Sequence, residues 1–257
     1  MRILKTRALA LPALIGLALY SAAWQPAMAA VAGDSAPATI TLTQGSPQRQ
    51  AAAEGLSVLV NRLIANGDQT GAPRILAVDQ VAQLRQATLG YGFEVNLLEP
   101  NALLAGKSID ASAHPSGEWR FVVLSNGHAV GLITVAKMHG QWQTVMAGAS
   151  EMAREITDVV SRYASREPTA QLRFIRSQQG VTDLIEVMPA TGAQPQYIPL
   201  LSARVMLAHP AAMARSAGVV DLNQAAPDTA SALPETQILP SLVTRVRTAV
   251  NFPRSAH

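Results

Sequence analysis

The sequence predicts an α+β fold: an antiparallel sheet built from two β-meander-plus-helix units, with the helices packed on one face. Three observations lead there. Residues 119–146 read as three short apolar strands joined at Asn126-Gly127 and His139-Gly140. An Asn-Gly pair between apolar runs is the strongest short-range hairpin signal. Directly after them, Met152, Ile156, Val159, Val160 and Tyr163 share one helical stripe over Glu151–Tyr163. The pattern then recurs: Leu172-Arg173-Phe174-Ile175 matches Trp119-Arg120-Phe121-Val122, and Leu184-Ile185-Glu186-Val187 matches Leu132-Ile133-Thr134-Val135. Gly180 and Gly192 fall where Gly127 and Gly140 fell, and Ser202 stands before a second helix as Ser150 stands before the first.

The elements follow in order. Arg2, Lys5 and Arg7 precede an apolar run from Leu9 to Tyr20, and Ala27-Met28-Ala29 supplies the small residues of a cleavage site. Residues 1–29 therefore read as a secretory signal peptide cut near Ala29, and the protein as periplasmic or secreted. The run is broken by Pro12 and Gly16 and falls short of the ~20 residues a span needs, so no stable membrane span is expected after cleavage. Residues 30–47 form an Ala/Thr/Ser/Pro-rich lead-in with no sustained period.

Residues 48–117 make an N-terminal helix and strand region. Leu56, Leu59, Val60, Leu63 and Ile64 mark a helix from Gln48 to Ala65, closed by Asn66-Gly67. A short strand is expected at Arg74–Val78 and a helix from Asp79, its N-cap, to Leu89, with Gly90 closing it. A strand follows at Phe93–Leu98, then a helical turn and a polar loop to Gly117. Residues 118–218 hold the two meander–helix units, in which Ser150 and Ser202 serve as helix caps. Residues 219–257 read as a linker and a C-terminal segment carrying Leu242, Val243, Val246 and Val250.

Composition narrows the function. The chain has 20 Lys+Arg and 17 Asp+Glu. Loss of the signal removes three bases and no acids, which leaves a neutral chain with no basic run and no electrostatic case for nucleic acid. Without cysteine there is no disulfide framework and no thiolate metal site. None of the five histidines has a second ligand at helical spacing, and His128 and His139 fall at turns, so no metal and no cofactor are expected. Gly148-Ala149-Ser150-Glu151-Met152 lacks the final glycine of a nucleophile elbow.

The reading is an exported, non-catalytic binding or accessory module that meets another exported protein or a small ligand through its sheet. Oligomeric state is left open. Arg120, Arg173, Trp119 and Trp142 are the candidate ligand contacts: the two arginines hold matching places in the repeats, and the aromatics fall on the sheet. The alternative is a hydrolase-like enzyme whose site is not visible as a motif, assembled from Ser150, His114, His128 and Asp183.

Overall fold

In the computed structural model, which describes residues 45–67, 75–208 and 231–251, the chain opens with helix α1 (Pro47–Asn66). Ser46 caps it, its Oγ accepting from the Arg49 N–H at 3.2 Å, and Pro47 takes the first position, where a missing N–H costs nothing. Gly67, at φ 66°, ends it by donating to the Ile64 carbonyl. A short 3-10 helix (Val81–Gln86) leads to strand β1 (Thr88–Leu98), and two short helices, α2 (Pro100–Leu104) and α3 (Ile109–Ser112), follow. The meander is β2 (Ala113–Ser125), β3 (His128–Met138) and β4 (Gln141–Gly148). Helix α4 (Ser150–Arg166) connects it to β5 (Gln171–Ser177), β6 (Thr182–Met188) and β7 (Gln196–Pro199). Helix α5 (Leu201–Ala208), the two-residue β8 (Leu233–Pro234) and helix α6 (Glu235–Asn251) complete the described chain.

Both hairpin turns are set locally. Asn126 and Gly127 have φ of 51° and 78°, and His139 and Gly140 have 52° and 83°. Two successive left-handed residues give the turn whose twist matches the flanking strands. Elsewhere local expectation yields to the sheet. Thr88 and Leu89 join β1 rather than the expected helix: Tyr91, Phe93, Val95 and Leu97 alternate at strand period along one face, and a register shift between Leu89 and Gly92 turns Leu89 to the other. Gln80, not Asp79, precedes the 3-10 helix, with no side-chain capping bond. Ile75–Val78 is not a strand, and Arg74 lies outside the described residues.

The sheet has eight strands in the order β4-β3-β2-β1-β5-β6-β7-β8. Seven strands in sequence would make a pure antiparallel array only if each meander continued the last. Here they grow outward from the centre, and β5 lies parallel to β1 with Val95 opposite Phe174, Asn96 opposite Ile175 and Leu97 opposite Arg176. The sheet is therefore mixed, which corrects the antiparallel expectation. A parallel neighbour needs a long connection, and the meander with α4 supplies it.

The expectation of helices on one face is also corrected. On β2, Val122 belongs to a core with Phe93, Val95, Leu132, Phe174 and the α4 residues Ala153, Ile156, Val159 and Val160. The intervening Phe121 and Val123 belong to a second core with Ala52, Leu56 and Val60 of α1. Alternate residues of one strand point to opposite faces, so α4 and α1 cover opposite sides. A third core shares the α1 side of the sheet, where Ile175, Leu184 and Tyr197 meet Leu103, Ile109, Met206, Ile238, Leu242 and Val246. Helices on both faces are what a strand apolar on both faces requires.

Candidate functional site

On one side the sheet ends at β4, a strand with no buried residue. Among the described residues nothing pairs with its outer side. Its sequence, QWQTVMAG, has neither charge nor proline. Val145 is 46% exposed and Met146 62%; Met138 of β3 and Val58 of α1 are exposed as well. A bulge places Met146 opposite Thr134 and Thr144 opposite Val135, so Val145 is the extra residue. The inner face of β4 is held by α1, where Thr144 Oγ1 donates to the Ala51 carbonyl at 3.1 Å. The opposite edge differs: β8 is two residues long and ends in Pro234, which cannot donate to a further strand.

The four candidate ligand contacts do not converge. Arg120 lies on the α4 face, 6% exposed, with its guanidinium carbon 5.6 Å from the centre of the Phe174 ring. It donates to Glu118 from Nε at 2.9 Å and from Nη2 at 2.7 Å. Burial depresses its pKa, Arg176 adds to the effect, and Glu118 opposes it. Arg173 alternates with Phe174 and so points to the other face, where it pairs with Glu186 at 2.6 Å and with Asp110. Both arginines stand on interior strands, not at an edge, and both are neutralised by the chain's own carboxylates. Trp119 and Trp142 pack beside the α1 core, and the Lys137 ammonium sits 5.6 Å over the Trp142 ring.

Of the candidate catalytic residues, the structure brings two together. Ser150 and Asp183 line one open concavity of about 490 Å³, with Met152, Glu155 and Ser202. Its carboxylates are engaged. Asp183 receives Arg176 Nε at 2.6 Å and Nη2 at 3.1 Å, and Ser202 Oγ donates to it at 3.2 Å while accepting from the Asp183 N–H. Glu155 pairs with Arg204 at 2.5 Å and accepts the Leu201 N–H, the first of α5. Ser202 thus ties β6 to α5 rather than capping it. Ser150 is the first helical residue of α4; the cap position is Ala149, at φ 55°, and no side chain caps the helix. A general base must be free to take the proton of a nucleophile, and these carboxylates are not.

His128 lies in a different concavity, about 600 Å³, with Asp79, Gln83, Ser125, Asn126, Arg154 and Asp158. His114 is exposed on β2 and lines neither. Among the described residues no three of His, Asp or Glu are placed to hold a metal ion; His209 and His257 lie outside them. Comparison of the chain with protein-family models, with curated proteins and with solved structures found no match.

Two buried polar features escaped the sequence reading. Glu186 is fully buried, and burial raises its carboxyl above the ordinary range more than Arg173 lowers it. It anchors Arg173, whose second partner is Asp110 of α3, while Glu235 of α6 accepts the Ile109 N–H. Arg245 of α6 is 6% exposed, its Nη1 and Nη2 donate to no group among the described residues, and burial lowers its pKa. Glu186 had no signal of its own, sitting in an apolar strand. Arg245 had a weak one: it falls three residues after Leu242 on the apolar stripe of its helix.

Proposed function

We propose that the protein is an exported binding or accessory module with no chemistry of its own, which takes an extended segment of a partner protein along β4. The observation that carries this is the outer edge of β4, with which no described strand pairs. Edges are normally blunted by charge, proline, brevity or a bulge; β8 is short and ends in proline, while β4 has only the bulge at Val145. A partner strand would pair with the outward backbone groups and cover Val145 and Met146. Such recognition leaves no side-chain motif, in keeping with the sequence. The segments β2–β4–α4 and β5–β7–α5, each three antiparallel strands and a helix, support the reading of two copies of one unit. Export rests on residues 1–29, which lie outside the described residues; among those described, no helix is long and apolar enough to cross a membrane.

The test uses a photo-crosslinking residue at position 145 in the native host, with identification of what it captures. Binding of the purified partner should weaken at least about tenfold, ~1.4 kcal/mol, in Val145→Lys/Met146→Lys, which charges the edge. Ser150→Ala, His114→Ala, His128→Ala and Asp183→Ala should leave both binding and the deletion phenotype intact. If one of these four abolishes function in folded, exported protein, the enzyme reading replaces the module. Mass spectrometry of the exported fraction should place the N-terminus near Ala30, and retention of Met1–Ala29 would end the export reading.

A further inference from the structure

Five elements meet around one buried carboxylate on the α1 side of the sheet. Glu186 of β6 is fully buried, and Arg173 of β5 donates to its Oε2 from Nε at 2.6 Å. The same guanidinium pairs with Asp110 of α3, which is half exposed. Tyr197 of β7 stands opposite Glu186 in the ladder and is fully buried as well. Glu235, the first residue of α6, accepts the Ile109 N–H and so joins α6 to α3. Among the described residues these are the titratable and charged groups around Glu186: Arg173 and Tyr197 from the sheet, Asp110 from α3, and Glu235 of α6, whose charge reaches Tyr197. Three carboxylates thus stand against one guanidinium, and the innermost of them is cut off from water. Tyr197 Oη faces Glu186 without meeting hydrogen-bond geometry, and Glu186 Oε1 has no partner among the described residues. A carboxylate can only accept, whereas a protonated carboxyl also donates. A proton on Oε1 therefore gives Glu186 a donor toward the Tyr197 hydroxyl and removes one of the excess negative charges.

We propose that this cluster is a proton-operated latch: α3 and α6 are held to the sheet while Glu186 carries a proton and are released when it loses one. The strands cannot yield, because Arg173 and Glu186 are fixed opposite one another in the β5–β6 ladder. The carboxylates that can move are Asp110, on a helix of four residues, and Glu235, in the first turn of α6. Loss of the Glu186 proton sets its charge against theirs, and the bond at Ile109 makes α3 and α6 leave together. Burial raises the Glu186 carboxyl more than Arg173 lowers it, and Asp110 adds to the rise, so release falls above the ordinary carboxylate range. Tyr197 is raised by burial and by Glu186 and stays protonated, so one proton operates the device. What the release uncovers is apolar: Ile109 of α3 and Ile238, Leu242 and Val246 of α6, with Ile175 and Leu184 of the sheet beneath them. This surface lies on the β5–β7 side of the sheet, away from β4, and is independent of the reading of that edge.

Hydrogen exchange of the full chain, corrected for the chemical exchange rate, reads the latch from about pH 4.5 upward. The amides of Ile109–Ser112 and of residues 238–246 should lose protection as pH rises, by at most about tenfold per pH unit for a single proton. They should exchange faster than residues 121–123 of β2 and be insensitive to low urea, the mark of a local opening. In Glu186→Gln, which fixes the neutral form, their protection should not change with pH. Asp110→Asn leaves Arg173 to Glu186 alone and should shrink the loss; it carries the test by itself if Glu186→Gln does not fold. Protection that stays constant or rises with pH in the natural protein would overturn the proposal. So would an equal loss in Glu186→Gln or an undiminished one in Asp110→Asn. Exchange of both segments at the rate of residues 121–123, with the same urea dependence, would make the opening global and overturn it too.

Discussion

Gly55→Ala sets two physical effects of opposite sign against each other. In an exposed helix interior, alanine is better than glycine by about 1 kcal/mol, so propensity alone predicts a more stable protein. But Gly55 is where α1 rests on β4. An added Cβ would lie 2.0 Å from Thr144 Oγ1 and 2.5 Å from Thr144 Cβ. The Cβ of a strand residue cannot swing away, so α1 must lift or β4 must move. Overpacking of this kind costs about 1–3 kcal/mol. The displacement also breaks the Thr144–Ala51 hydrogen bond, worth about 1 kcal/mol. The net expectation is a loss of about 1–3 kcal/mol, measured as a lower urea midpoint at unchanged slope. In a Thr144→Gly background all three crowding atoms are gone, and Gly55→Ala should become neutral or stabilising. A gain of about 1 kcal/mol from Gly55→Ala in the otherwise unaltered protein would refute the seating of α1 on β4.

Further outcomes follow from the buried groups. Ile156→Asp puts a carboxylate into the core under α4 and should cost several kcal/mol, whereas Asp158→Ala should change stability by no more than about 0.5 kcal/mol; equal effects in urea unfolding would place the wrong face of α4 against the sheet. Glu186 has a folded pKa raised above its ordinary 4.5, so its contribution to stability is fully present below that pH and is lost as pH rises through the raised value. The stability of the natural protein relative to Glu186→Gln should therefore decline from about pH 4.5 upward, and a relative rise over that window would reverse the assignment. Arg245→Met removes a buried cation whose Nη1 and Nη2 have no partner among the described residues and should stabilise by about 1 kcal/mol or more in thermal unfolding; a comparable loss would show that the guanidinium is paired in solution.

What could be read from the sequence was what short spacing decides. Asn126-Gly127 and His139-Gly140 dictate their turns from two residues each, and the stripe of Met152, Ile156, Val159 and Val160 dictates the buried face of α4. The parallel contact of β1 with β5 was not legible, because strand order is decided by which edges are free after collapse, and no residue of β5 announces its neighbour. Residues 81–89 misled for a local reason: their apolar positions fit a helix as well as they fit a 3-10 turn entering a strand. The matching of Arg120 with Arg173 failed differently. It aligned letters, while the environment of each arginine depends on the face its strand presents, and the face of Arg120 holds Phe174, not Arg173. The Ser150 cap failed because Ala149 takes a left-handed conformation and turns the chain into α4 by itself. The β4 edge was invisible as a site for the same reason as strand order: a residue does not record which strand lies beside it.

The parallel seam has a consequence for how the molecule assembles. Val95 and Phe174 are opposite one another yet 79 residues apart in the chain, and only three residue pairs make up the ladder there. The contacts of β1 with β2, β3 with β4 and β5 with β6 close over far shorter loops, so each side gains its hairpins before the seam can form. At the junction a buried amide, Asn96 Nδ2, donates to the Phe174 carbonyl at 3.2 Å and adds a side-chain bond to the register that the ladder sets. Loop-closure entropy therefore predicts that the centre of the sheet closes last, and a slip of one residue there would turn Phe174 and Ile175 to the wrong cores.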